Sequence, residues 1–224
     1  MSGDLHYTID SALEAVLRPK TEEIRDELAA RLHGEWEKAM QGREESARQA
    51  RTETAAALAA AVRRIRAESS VTTIAHALVE SAAEFAGRAA LLIVRDGRLL
   101  GFLACGGAGD EVKRRFERVD LSVSEATAMA HAIETRDPVV TSGSANDLSR
   151  SVVDLFGLTA DDRVYLFPVV LREQVLAVLY ADAGPASRAV ESDAIEVLAS
   201  VAEAWIEAVG SRKKPVPARE EATV

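Results

Sequence analysis

The sequence predicts an α+β domain, an antiparallel sheet flanked by helices, carried on a long N-terminal helical stalk. Three observations predict it. Residues 21–66 contain no proline and are dominated by Ala, Glu, Arg and Leu, residues that favour the helix. Two pairs of apolar runs are joined by short turns, one at Asp96-Gly97 and one at Arg172-Glu173-Gln174, and such pairs read as β-hairpins. The segment 190–209 repeats its apolar residues at helical spacing. Two hairpins around a mixed helical insert imply an antiparallel sheet with helices packed on it.

The elements follow in order. In the stalk, Ile24, Leu28, Leu32, Trp36 and Met40 recur four residues apart, and after a polar gap Ala47, Ala50, Thr54, Ala57, Ala61 and Ile65 continue in steps of three and four. The second series is the seam of a helix packed along another helix. It fits an intramolecular helical hairpin, or a coiled-coil or four-helix-bundle contact between two copies. The second is expected, because so long a stripe finds no shielding layer in its own chain. Gly34 and Gly42 mark a kink or a break between two helices. Residues 70–86, with Val71, Ile74, Leu78, Val79, Ala82 and Phe85, form another amphipathic helix, continuous with the first or separate. Residues 89–94 and 99–105 form the first hairpin. A helical turn at 110–115, a strand at 116–123, a helix from Ser124 to about Thr135 and a short strand at 139–142 come next. A short helix at about 148–156 precedes the second hairpin, 164–171 with 175–181. The tail from residue 211, with Pro215 and Pro217 among charges, is expected to be disordered. The organisation is therefore 1–67 helical dimerisation segment, 68–210 α+β domain, 211–224 tail.

Composition narrows the function classes. Net charge is -9, from 27 basic and 36 acidic residues, with 12 basic against 21 acidic in residues 69–210. Phosphate-rich partners are repelled by that balance, so no nucleic acid is expected. No apolar run reaches the roughly 18 residues a membrane helix needs. Met1-Ser2-Gly3-Asp4 offers neither a basic nor an apolar signal region, and a cytoplasmic location with no membrane contact is expected. Cys105 is the one cysteine, so an internal disulfide and a structural zinc site are excluded. Aromatics make up 4% of the chain against 41 alanines. The stalk to residue 67 holds 14 of those alanines with only Tyr7 and Trp36, so the aromatic bulk belongs to the domain.

Three stretches resemble one family. Asp137-Pro138-Val139-Val140 after a helix is similar to the helix, polar turn and Pro-Val-Val step of GAF domains. Phe167-Pro168-Val169-Val170 with Val175-Leu176-Ala177-Val178-Leu179 resembles that family's last hairpin, and Glu191-Ser192-Asp193 leading to Leu198 and Ala199 resembles its closing helix. The likeness covers about residues 68–209. Two departures bear on the pocket: Ala177 stands where the hairpin usually has glycine, and Val190 where a phenylalanine usually precedes the closing helix. The resemblance implies a six-stranded antiparallel sheet between helices, a cleft over one sheet face, and dimerisation through the first and last helices. Many members sense small molecules, redox state or light; others bind nothing and only dimerise.

Strand alternation puts Tyr165 and Phe167 on one face, and Leu100, Phe102 and Ala104 on one face of theirs. Converging, they would line an apolar pocket with tyrosine hydroxyls to orient a ligand; otherwise they close a core. The candidate ligand-binding set is Phe102, Cys105, Phe116, His131, Tyr165 and Phe167. Cys105 is a reactive thiol only beside a cation or helix N-terminus, and none adjoins it in sequence; bilin-binding relatives carry a Cys-His pair, and no histidine is adjacent. The methionine-sulfoxide-reducing relatives use several cysteines. The glycines at 101, 106, 107 and 109 make no phosphate loop. His6, His33, His76 and His131 form no i, i+4 pair, so no metal site is expected. Ser142-Gly143-Ser144 is no nucleophile elbow, Asp161-Asp162 fits a turn, and the cyclic-nucleotide signature of the family is not visible. No cofactor and no catalytic residue are expected. The expected dimer contacts are Leu58, Val62, Ile65, Leu198, Trp205 and Val209.

The reading is a non-enzymatic, cytoplasmic sensory or regulatory module, a homodimer that signals to a separate partner protein with or without a small-molecule ligand. The alternative is a ligand-free structural adaptor acting through its helical bundle; a thiol-dependent enzyme or chromoprotein rests on Cys105 alone.

Overall fold

A computed structural model describes residues 2–107, 109–157, 162–185 and 188–212; the side chains of 2–14, 16, 17, 24 and 212 are not included. The expected tail falls outside these residues except for its first two, which end the last helix. Two compact units divide between Ala56 and Ala57, eleven residues before the end of the first helix.

That helix, α1, runs Ser2–Ala67 with Pro19 inside it. It begins earlier than the sequence predicts and passes through Gly34 and Gly42 without a break. Each glycine weakens a helix by about 1 kcal/mol relative to alanine, and the Ala-, Glu- and Arg-rich flanks outweigh that. A break does occur at Ser70, whose hydroxyl accepts from the Thr73 N–H at 3.1 Å and caps α2, Val71–Ala82. α2 is therefore a separate helix.

In the unit from Ala57 onward, β1 (Arg88–Arg95) pairs with β2 (Arg98–Gly106) through Asp96 and Gly97, both at positive φ, 50° and 72°. This is the turn that follows the right-handed twist of the strands. α3 spans Asp110–Phe116, and β3 is only Asp120–Ser122. The longer strand expected at 116–123 is shortened because Phe116 closes α3 and is wholly buried. A 3-10 turn, Val123–Glu125, leads into α4 (Thr127–Thr135). β4 (Val139–Ser142) follows, then two helices where one was expected, α5 (Ala145–Leu148) and α6 (Arg150–Phe156). β5 (Arg163–Leu171) and β6 (Gln174–Asp182) turn on Arg172 and Glu173, and α7 (Ser192–Arg212) closes the fold.

The six strands form one antiparallel sheet in the order β3-β2-β1-β6-β5-β4. Alternation sends neighbouring residues to opposite faces. Ala89 and Leu91 of β1, Phe167 and Val169 of β5, and Leu179 and Ala181 of β6 join the helical face with α2, α7 and the last turns of α1. Ala90 and Leu92, Val164 and Leu166, and Val178 and Tyr180 join the opposite face with α4, α5 and α6. In β2 the alternation fails. The pairing shifts between Leu91 and Leu92, a β-bulge that puts Phe102 beside Leu103 on the helical face while Ala104 takes the other. Phe102 and Ala104 therefore do not share a face, because a bulge adds one residue and resets the period of two.

Candidate functional site

The sheet separates the six candidate ligand residues. Phe102, Cys105, Tyr165 and Phe167 lie on the helical face. Phe167 is 2% exposed, and Phe102 meets the exposed His76 of α2 edge to face, ring centroids 5.1 Å apart. Phe116 belongs to the opposite face, and His131 points to solvent from α4. No single cleft collects Phe102, His131 and Phe167. Burial, aided by the negative charge of Glu80 and opposed by Lys113, pushes the Cys105 thiol above its usual range. That disfavours the reactive thiolate.

The expected dimer residues are mostly used within one chain. Ile65, Leu198 and Val209 are 0, 0 and 6% exposed inside the helical-face core, so they have no surface left for a second copy. Leu58, Val62 and Trp205 are half-buried against the same core. Trp205 Nε1 donates to the Glu68 carbonyl at 2.8 Å, and the Arg66 guanidinium lies 5.7 Å from its ring centroid. The correction has a physical reason: the 3.6-residue repeat tells that a helix face is covered, not by which chain. In the unit before Ala57, Leu28, Leu32, Trp36 and Met40 are 54, 67, 65 and 39% exposed.

The face opposite the long helices holds charged groups that periodicity does not reveal. Arg88 and Asp182 are cross-strand partners on β1 and β6, with side chains 5% and 0% exposed. Arg88 Nε donates to Asp182 Oδ2 at 3.0 Å and Nη2 donates to the same oxygen at 2.5 Å. The Tyr180 hydroxyl donates to it as well, and Asp182 Oδ1 accepts the Gly184 N–H at 2.7 Å. Burial first, then the Asp182 charge, raises Tyr180 far above the usual phenol range, so it stays a donor. Arg88 Nη1 donates to the Phe156 carbonyl at the end of α6, 2.8 Å, and the guanidinium carbon lies 4.3 Å from the Phe156 ring centroid. That ring lies 5.4 Å from Phe116 and 5.1 Å from Tyr180. The only sequence trace of this cluster is an Arg and an Asp at the ends of two apolar strands.

Its cover is strained. Ser149, between α5 and α6, has φ 75°, ψ 150°, a region nearly confined to glycine that costs another residue roughly 1–3 kcal/mol. Its buried hydroxyl has no hydrogen-bond partner among the described residues. Gly157, at φ 72°, closes the other end of α6. Among the described residues no group of three or more His, Cys, Asp or Glu is placed to hold a metal ion, and no helix is long and apolar enough to cross a membrane.

Comparison with solved structures identifies the architecture. A methyl-accepting chemotaxis protein fragment aligns with TM-score 0.57 and 17% identity, covering 69% of this chain and 99% of that one. The phytochrome photosensory core of Stigmatella aurantiaca aligns at 0.56 and 9%, covering 73% and 38%. A free methionine-R-sulfoxide reductase from Neisseria meningitidis aligns at 0.50 and 14%, covering 69% and 89%. At these identities the likeness is one of fold, shared by sensory proteins and an enzyme alike. No curated protein matches the sequence. The GAF domain model matches residues 68–206, from just before α2 into α7, and with the six-stranded sheet and its two helical layers this makes the chain a member of the GAF domain family.

Proposed function

We propose that this protein is a non-enzymatic sensory or regulatory GAF module that works in the cytoplasm as a homodimer and passes its state to a separate partner protein. The observation that carries the reading is the uncovered stripe Leu28, Leu32, Trp36 and Met40. Covering one such side chain is worth roughly 1.5–3 kcal/mol, so four on one helix favour association. The steps of four advance about 40° beyond a full turn each. The stripe therefore winds round the helix, and a second copy crosses it instead of following a heptad seam. The raised Cys105 thiol supports a role without thiol chemistry, and the acidic domain supports protein partners over nucleic acid.

Sedimentation velocity of the full chain at micromolar concentration tests the dimer. The expected result is a dimer that becomes monomeric when Leu32→Glu and Trp36→Glu are combined; a monomeric parent protein overturns it. A second reading, a ligand-free adaptor acting through the same helices, is favoured by the filled sheet faces, where Leu92, Met129, Leu148, Leu166 and Leu179 are each wholly or almost wholly buried. Native mass spectrometry of protein from its own cells separates the two: retained small-molecule mass supports sensing, and a bare dimer supports the adaptor.

A further inference from the structure

Among the described residues, the large apolar side chains left bare by the fold gather on one stretch of one helix. Leu28, Leu32, Trp36 and Met40 lie on α1, whereas Val71, Val140 and Val197 belong to three different elements. At about 100° per residue, Arg25 and Arg43 stand on the line of α1 that runs midway between Leu32 and Trp36, three residues beyond either end of the stripe. They bound the contact. Its flanks are charged as well: Arg31 and Glu35 lie on one side, His33 and Glu37 on the other, all four exposed, with His33 Nε2 3.3 Å from Glu37 Oε1. A second copy related by a two-fold axis runs either parallel or antiparallel. Parallel, the Arg31 and Glu35 flank of one copy meets the His33 and Glu37 flank of the other, and Glu35 comes beside Glu37 on both sides. Antiparallel, with the axis at residue 34, each flank meets its own copy reversed. Glu35 then comes beside Arg31 of the other copy twice, against a single approach of Glu35 to Glu35, and Glu37 comes beside His33.

We propose that the second copy crosses α1 antiparallel, centred between Leu32 and Trp36, and that its direction is set by Arg31 and Glu35. Ridges that step by four pack at about 50° to one another, so the contact stays within the stretch that Arg25 and Arg43 bound. Charge selects the direction, because two attractions and one repulsion stand against two repulsions. The packing of the α+β domain agrees. Ile65, Leu198 and Val209 are already covered by their own chain, so nothing there requires a second domain alongside. In the antiparallel dimer the two Ala56 leave the crossing in opposite directions, each about 33 Å from it along its helix. The two α+β domains then share no face, and a separate partner protein is engaged once per copy instead of once per dimer. This gives the direction and stoichiometry of the dimer proposed above and rests on it.

Electron–electron distances across the dimer test the direction, with a nitroxide on the full chain at Glu23→Cys and the native thiol removed by Cys105→Ala. Antiparallel, Glu23 lies level with Glu45 of the other copy. The two labels are then expected about 30 Å apart, the helical rise between those positions shortened by the crossing. Parallel, they would lie within about 20 Å. Charge is tested separately by Glu35→Arg, followed by sedimentation at low salt. That substitution puts a cation beside each Arg31 in the antiparallel dimer, and beside each Glu37 in a parallel one. A dimer weakened at least about threefold is expected, and adding Arg31→Glu is expected to recover the loss. Labels within about 20 Å, or a dimer that Glu35→Arg tightens or leaves unchanged, overturn the antiparallel direction and leave the dimer standing. A monomeric parent protein overturns the dimer and its direction together.

Discussion

The two faces of the sheet are built on different principles. The helical face is covered by α2 and α7, amphipathic helices of 12 and 21 residues, and its buried residues are aliphatic or small apart from Phe85 and Phe167. The other face is covered by α4, α5 and α6, of nine, four and seven residues, and carries the buried Arg88, Asp182 and Tyr180. Short helices bury little apolar area each, so that face depends on directed hydrogen bonds as well as packing. Directed bonds fail abruptly when one partner is lost, whereas apolar packing degrades with the volume removed. Loss of a group on the helical face is therefore expected to be graded, and loss of a group on the opposite face abrupt.

Breaking that opposite face at its charge is the most damaging change expected. Asp182→Ala leaves Arg88 charged and buried, and loss of one partner of such a pair costs about 3–5 kcal/mol, read as a lower midpoint in urea unfolding. Replacing both, Arg88→Met with Asp182→Leu, is expected to recover only part of that loss: no uncompensated charge remains, but the buried Tyr180 hydroxyl and Gly184 N–H lose their acceptor. A single variant as stable as the parent would mean that the pair does not organise this face.

On the scaffold side, Leu198→Ala removes a wholly buried side chain between α7 and the sheet, and a loss of about 3 kcal/mol is expected, again by urea unfolding. Hydrogen exchange sharpens the contrast. Amides of α6 are expected to exchange at least about tenfold faster than those of α7, opening locally instead of by global unfolding. Equal protection in the two helices would erase the distinction between the two faces.

The two faces also differ in how legible they are from sequence. The hairpins were readable because Asp96-Gly97 is a turn whose chemistry is local, and α7 because Ile195, Leu198, Ala202 and Val209 repeat along one face. The order of the elements was enough to place the chain in its family. The bulge at Phe102 was not readable: nothing in Gly101-Phe102-Leu103 announces an extra residue, and one residue is enough to move a side chain to the other face. Nor was the role of Arg88 and Asp182, 94 residues apart in the chain, since only strand register brings them opposite each other. The burial of the expected dimer contacts Ile65, Leu198 and Val209 within their own chain was unreadable for a related reason, as apolar periodicity does not distinguish a helix covered by its own chain from one covered by another.

The junction between α5 and α6 allows a test with the opposite sign. Ser149→Gly places the one residue suited to φ 75°, ψ 150° where a serine now stands, and it removes a buried hydroxyl with no described partner. Relief of strain and of the unmade hydrogen bond outweighs the roughly 0.5–1 kcal/mol that glycine loses through its freer unfolded chain. A gain of about 1 kcal/mol is expected, a rise in Tm of roughly 3 °C for a chain of this size, measured by calorimetry. A lower Tm would show that the conformation at Ser149 is not strained.

The smallest effect expected lies back on the helical side, at a polar contact that ties α7 to the sheet. Glu203 accepts the Val170 N–H at 2.6 Å, where a shift in the β5–β6 pairing between Val169 and Val170 marks an irregularity. Partial burial raises the Glu203 carboxyl above its usual range, and the Val170 N–H only partly opposes it. A carboxyl whose value is higher in the fold than in the unfolded chain binds protons more readily when folded. Its contribution is therefore fully present below the unfolded value and declines as pH rises through the folded one. Glu203→Gln keeps an acceptor for Val170 and removes the titration. The variant is expected to lose less stability than the parent between pH 4 and pH 7, by a few tenths of a kcal/mol once solvent screening at this half-exposed site is allowed for. Urea midpoints at the two pH values measure it. A parent protein that instead gains on Glu203→Gln as pH rises would mean that the bond to Val170 lowers the carboxyl more than burial raises it, making this contact an anion site in its own right and the helical face less purely apolar than its packing implies.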